Sequence, residues 1–260
     1  TVIVEIFRRH YQPGIFYFEF NRSEIEEVVS QLEIESIKIY DDLIYSFRFR
    51  SPLPKEISDT APQGGEWLIE LSGQGVYRFR LSRINQIIPR INMKQIKIPD
   101  STPEIVTKYS LSDEQALLAK IRYNRLIDIF LGITAYSLQN YVISSVTGIG
   151  QIEIDEIYVG LNRKGVQFVI PVQARAGNDR ISVIQTKQDI GYCTEKFPKL
   201  ICCPISTQLL PNNLVAMFEL ALEDGEVKVV EEKHYKLVPG NQIFEEDLQS
   251  YTLYNIGNTC

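Results

Sequence analysis

The chain has 260 residues, 44% of them hydrophobic and 23% charged, with a net charge of −6. That length carries one large core or two smaller ones, at ~100–200 residues per domain. Its two histidines leave almost no material for a histidine metal cluster or a Ser-His-Asp relay. Its four cysteines include no C-x-x-C pair, which argues against a zinc ribbon.

No apolar run approaches the ~18 residues of a membrane span. The opening "TVIVEIFRRH" lacks the basic, apolar, small order of a signal peptide, and the absence of an initial Met points to a few preceding residues. The expectation is a cytoplasmic protein with buried, reduced cysteines and no membrane partner. Residues 201–260 hold nine acids against three Lys and Arg, which accounts for all of the −6; the first 200 residues balance at 24 of each sign. Global charge therefore neither supports nor excludes DNA, because binding needs only a local basic patch.

Residues 1–98 read as a β-rich domain suited to recognition. "VIVEIF", "IFYFEF", "IKIYDDLIYSFRFR", "EWLIEL" and "VYRFRL" are rich in aromatic and β-branched residues. One helix interrupts them, capped by Ser23, with Ile25, Val28, Val29 and Leu32 at helical spacing. In strands, the alternation of "FRFR" and "YRFRLSR" puts Arg48 with Arg50, and Arg78 with Arg80, on one face each. Such faces offer phosphate contacts; an ordinary polar strand face is the plainer alternative.

"IPDSTPEIVTKYS" (98–110) reads as a linker, and a second domain spans 108–260. A long helix follows, with Ser112 and Gln115 as a capping box and Gly132 as its stop. Arg122 and Arg125 lie three apart on it, where they can follow a phosphate backbone or simply face solvent. A second helix is expected over Thr134–Val146. "QIEIDEIYVGL" and "VQFVIPVQAR" then form a hairpin turned by Asn162-Arg163-Lys164-Gly165. A helix capped by Asp179 runs to about Phe197. Three strands and an acidic last helix close a mixed α/β (α+β) chain.

The chemistry concentrates on the hairpin. One strand carries Glu153, Asp155 and Glu156, although strands tend to reject acids. Centring the turn on 163–164 brings Asp155 near residue 172, beside Gln173. A carboxylate and an amide oxygen suit Mg²⁺ or Mn²⁺. Arg175, two residues on and on the same face, can hold a phosphate.

An Asp on one strand, a short hairpin, then Gln173-Ala174-Arg175 on the next strand and a following helix resembles the PD-(D/E)XK nuclease superfamily. The closest form is the Gln-x-Lys variant of the branch like the Mrr restriction enzymes. The resemblance covers roughly residues 110–240. It implies a restriction-endonuclease-like core, with a central mixed sheet flanked by helices. It also implies metal-dependent cleavage of DNA, in restriction or phage defence. A homodimer or larger complex is compatible with this reading, and the sequence does not fix the oligomeric state. Asp155 matches the metal-binding Asp and Gln173 the second acid, while Arg175 stands where Lys is usual. Arg keeps its proton and cannot be a general base. Lys187 on the next helix is the nearest substitute, and Glu114 the best acid from the preceding helix. Two other readings stand beside it. One is a nuclease-fold subunit that binds nucleic acid or a partner without cutting. The other is an interaction scaffold using the acidic 201–260 segment.

Overall fold

The computed structural model describes residues 1–32, 40–50, 52–82, 86–110, 113–146, 150–177, 179 and 181–256. The first elements are α1 (Val2–His10), β1 (Tyr17–Asn21), α2 (Arg22–Gln31) and α3 (Tyr40–Tyr45). A π-helical turn, Ser46–Arg50, continues α3; then come α4 (Lys55–Ser58), β2 (Glu66–Gly73) and β3 (Val76–Ser82). The strands form an antiparallel sheet in the order β1-β3-β2. Ile3, Ile6 and Phe7 from α1 bury against Phe20, Trp67 and Phe79 of that sheet.

Three expectations for this region change. "VIVEIF" is helical: Val2, Ile3, Val4, Ile6 and Phe7 are all buried, while Arg8 and Arg9 stay out. Burial of one wide helix face outweighs the β preference of its branched residues. The described part of "IKIYDDLIYSFRFR" is helical too, with Leu43, Ile44 and Phe47 at i, i+1 and i+4 packed on the core. Arg48 therefore does not line a strand face, and the Arg50 side chain lies outside the described residues. Helix α2 is capped two residues earlier than Ser23 suggests, by Asn21, whose N–H donates to Glu24 Oε1 at 2.8 Å.

The following elements are β4 (Gln86–Ile87), β5 (Gln95–Pro99), α5 (Glu104–Tyr109), α6 (Asp113–Tyr123) and α7 (Leu126–Leu131). Then come β6 (Thr134–Val146), β7 (Gly150–Leu161), β8 (Gln167–Ala176), β9 (Ile181–Ser182) and α8 (Val183–Lys196). The chain closes with β10 (Ile201–Cys202), β11 (Ile205–Leu210), β12 (Leu214–Glu223), β13 (Glu226–Val238) and α9 (Glu245–Ile256). A large mixed sheet runs β5-β13-β12-β11-β8-β7-β6, with β10 paired to β8. β11 is parallel to β8 and β5 to β13; the other neighbours along that path are antiparallel. Helices flank it. Leu117, Ile121 and Phe130 of α6 and α7 cover Tyr158, Ile170 and Val172, and α8 covers the opposite side through Tyr192 and Cys193. No helix among the described residues is long and apolar enough to cross a membrane.

The expected linker is partly structure. Gln95–Pro99 is an edge strand of the large sheet, and Glu104–Tyr109 is a short helix. The expected single helix from 112 is two, because Arg125 adopts the left-handed conformation (φ 49°) between them. Asn124 at that elbow is tied to the preceding segment: its Oδ1 accepts from the Ser101 N–H at 2.7 Å and its Nδ2 donates to Thr102 Oγ1 at 2.9 Å. Ser112 lies outside the described residues.

Thr134–Val146 is a strand, not a helix. Leu138, Val142 and Val146 recur every four residues, which imitates a helix. A strand face shares that spacing, and the bulge between Ser137 and Gln139 interrupts the plain alternation that would tell the two apart.

Candidate active site

The turn between β7 and β8 closes with Gly165 at φ 79°, its N–H donating to the Asn162 carbonyl at 2.9 Å. Glu156 then faces Val172, so continuing the register sets Asp155 opposite Gln173. The hairpin expectation is off by one position. Asp155 Oδ2 accepts from the Ala174 N–H at 2.7 Å and from Arg175 Nη1 at 3.0 Å.

The three acids of β7 have three separate partners. Glu153 accepts from the Tyr45 hydroxyl at 3.3 Å, joining the hairpin to the N-terminal unit. Glu156, fully buried, takes a fork from Arg122 at 3.1 and 3.0 Å and a bond from Ser137 Oγ at 2.5 Å. Only Asp155 faces Gln173 and Arg175. The acidic strand is therefore largely a structural feature, and one of its carboxylates serves the candidate site.

Helix α8 supplies two residues that the sequence reading missed. Gln173 Nε2 donates to Asp189 Oδ2 at 2.8 Å, with both side chains buried. Gln185 accepts from Arg175 Nη2 and donates to the Glu153 carbonyl at 2.9 Å, locking the guanidinium against β7. Their signal was present: Gln185 and Asp189 are four apart, which puts both on one face of the helix. The helix begins later than Asp179, at an N-cap Ser182 whose hydroxyl accepts from the Gln185 N–H at 3.3 Å.

Burial dominates the electrostatics. It pushes the Asp155 carboxyl up, against the pull of Arg175 and of the Ala174 N–H. It pushes Asp189 well above the usual carboxylate range, with Gln173 pulling the other way. Glu114 is also raised by burial; Arg175 lowers it, and Asp155 and Asp179 raise it further. Glu114 of α6 thus shares one electrostatic cluster with Asp155 and Arg175. Two acceptors in the cluster, Gln173 Oε1 and Asp189 Oδ1, are buried without a hydrogen-bond partner.

The other candidates lie elsewhere. Lys187 pairs with Glu70 of β2 at 3.5 Å, so its charge is directed to the N-terminal sheet rather than to Asp155. Arg78 is held by Glu19, at 2.6 Å from Nη2, and by Ser72. Arg80 is held by Glu70 at 3.1 Å and by Glu226 at 2.7 Å. Arg48 is half-buried, and burial draws its guanidinium down. Arg122 and Arg125 pair with Glu156 and Asp128. Of the arginines expected to form open basic faces, Arg78, Arg80, Arg122 and Arg125 are thus engaged within the fold. No protein-family model, no curated protein and no solved structure matches the chain.

Proposed function

We propose that the chain is a metal-dependent DNA endonuclease on the PD-(D/E)XK plan. The observation that carries the reading is the convergence of Asp155, Gln173 and Arg175 on one hairpin, with Glu114 in the same charge cluster. The order of elements supports it: a helix with Glu114, strands β6, β7 and β8, helix α8, then β11 parallel to β8.

The donor chemistry fits a hard divalent cation. Asp155, Gln173 Oε1 and Glu114 are all oxygen ligands of the kind Mg²⁺ or Mn²⁺ takes, and Gln173 Oε1 is a buried acceptor without a partner. Among the described residues no three Asp, Glu, His or Cys side chains are placed to hold a metal ion, so this reading takes the Gln173 amide oxygen to complete the set. Mg²⁺ bound there would supply an acidified water and neutralise charge on the phosphoryl oxygens. A guanidinium is no general base, so the role of Arg175 is to hold a phosphate oxygen. Asp189 and Gln185 hold Gln173 and Arg175 in place.

One observation favours a second reading, a nuclease-fold subunit that binds DNA without cutting. The Arg175 guanidinium already occupies Asp155 Oδ2. Incubation with plasmid DNA and Mn²⁺, with calorimetry of Mn²⁺ binding, separates the two. Nicking by the wild type, lost in Asp155→Ala, supports the enzyme. DNA binding with neither Mn²⁺ affinity nor nicking supports the subunit, and no DNA binding overturns both.

A further inference from the structure

We propose that the cavity enclosed by α6, α7, β6 and β7 is a nucleobase-binding site. It lies across the sheet from the candidate active site, because its neighbour Glu156 projects to the α6 face while Asp155 projects toward α8.

Size limits the occupant first. The cavity holds about 210 Å³. Pockets for drug-sized ligands run from ~300 Å³ upward, so this one takes a single ring system rather than a whole nucleotide. Its walls include apolar atoms of Ile127 and Ala135, which suit the flat face of a ring.

Charge limits it next. Arg122 and Arg125 both line the cavity, but each is already paired, with Glu156 and Asp128 respectively. The paired guanidiniums present little net positive field to a free phosphate. What they retain is a planar surface held still by its ion pair, and guanidinium planes stack on aromatic rings. Tyr136 at the rim is 56% exposed and adds an aromatic face of the kind that bases stack on.

Hydrogen bonding completes the fit. Tyr158 lines the cavity and is 4% exposed, and its hydroxyl makes no close hydrogen bond, having only the weaker reach of Glu156 and Arg122 beside it. Burial pushes this phenol far up, so it stays a donor at every physiological pH. Ser137 Oγ lies nearby on β6. A planar ring with an acceptor on its edge satisfies the phenol, stacks at the rim and needs no net charge. Among the constituents of nucleic acid, that describes a base and excludes phosphate. Arg125 reinforces the point. A non-glycine residue in the left-handed region is uncommon and persists only where its surroundings dictate it.

The inference rests on the nucleic-acid-binding part of the proposed function but not on cleavage, since a base site serves a cutting and a non-cutting protein alike. The test uses free adenosine, guanosine, cytidine and thymidine, with inorganic phosphate as the charge control. Binding is read from amide shifts of the full chain and by calorimetry. At least one nucleoside is expected to shift the Ala135–Ser137 amides, with phosphate leaving them unmoved. Tyr136→Ala is exposed enough to preserve the fold and should weaken that nucleoside at least tenfold. Tyr158→Phe, which removes one oxygen, should weaken it about fivefold. Phosphate alone moving the same amides would overturn the inference in favour of an anion site. No nucleoside response at millimolar concentration would also overturn it, as would unchanged affinity in Tyr136→Ala.

Discussion

The Arg175 guanidinium donates to Asp155 Oδ2 at 3.0 Å across the β7–β8 hairpin, and both side chains are mostly buried. The same guanidinium donates to its neighbour's carbonyl, Ala174 O, at 2.6 Å and to Gln185. A lysine carries its donors on one nitrogen, so it does not reproduce contacts that arginine makes from two nitrogens of a rigid fork. Arg175→Lys should therefore loosen the hold on Asp155 at a stability cost on the order of 1–2 kcal/mol. In an endonuclease it should raise Mn²⁺-dependent nicking by about tenfold, by releasing a ligand oxygen and restoring a compact ammonium. A nicking assay beside urea unfolding checks both parts. A rate at or below wild type shows that the guanidinium is not what limits the site.

Asp189 gives stability a pH dependence of unusual sign. Its carboxyl stands well above its ordinary value of 3.8, chiefly through burial. From about pH 4 upward the unfolded chain has lost this proton while the folded protein keeps it. Unfolding then releases a proton, so this contribution to stability falls as pH rises from the unfolded pKa to the folded one, and stays at its low level above. Asp189→Asn removes the titration but retains an oxygen that accepts from Gln173 Nε2. Urea midpoints measured from about pH 4 to 7 should fall more steeply for wild type than for Asp189→Asn. Asp155 and Glu114, both raised, leave a residual slope of the same sign. Superimposable profiles for the two proteins would falsify the assignment.

What the sequence reveals here follows the range of the forces involved. The Asn162–Gly165 turn is local chemistry, and reading it sets Asp155 one position from its observed partner. Helix α8 is likewise legible from the signals that bound it, with its start misplaced from Ser182 to Asp179. Strand β6 is illegible because a bulge breaks its period two and its apolar residues four apart suit a helix face as well as a strand face. Helix α1 is illegible because its branched residues favour strand until a sheet core exists to bury them. The arginines mislead for a third reason. Arg80 and Glu226 are 146 residues apart in the chain, and nothing local signals that one neutralises the other.

That pair yields an expectation opposite to the one its alternating pattern raises. Arg80 clasps Glu70 of the small sheet and Glu226 of the large one, with its own side chain 21% exposed. Arg80→Ala should cost on the order of 1–2 kcal/mol, between the values for surface and buried pairs. Arg78 and Glu19 are more exposed, so Arg78→Ala should cost under about 1 kcal/mol. Each phosphate contact adds ~0.9 to the log–log salt slope of DNA binding. Engaged arginines make none, so the double variant should bind DNA with an unaltered slope. A slope reduced by one or two contacts would instead show that these ion pairs open to admit phosphate.

Glu156 and Arg122 offer the sharpest energetic test, because the carboxylate is fully buried while the guanidinium reaches solvent. Removing Arg122 strands the carboxylate with Ser137 as its main remaining donor. An uncompensated buried charge costs ~3–5 kcal/mol, and the partial solvent access of Arg122 brings the expectation for Arg122→Ala to about 2–3 kcal/mol. Glu156→Gln keeps the shape and two hydrogen-bonding atoms but forfeits the charge-assisted fork, for about 1–2 kcal/mol. In the double variant no buried charge is left unpaired. Its cost should therefore fall below the sum of the single variants by at least about 1 kcal/mol, the mark of residues that share one interaction. Urea unfolding of the four proteins closes the cycle. Strict additivity would mean that Ser137 and entering water satisfy Glu156 without Arg122, leaving the arginine free to swing toward the cavity it lines.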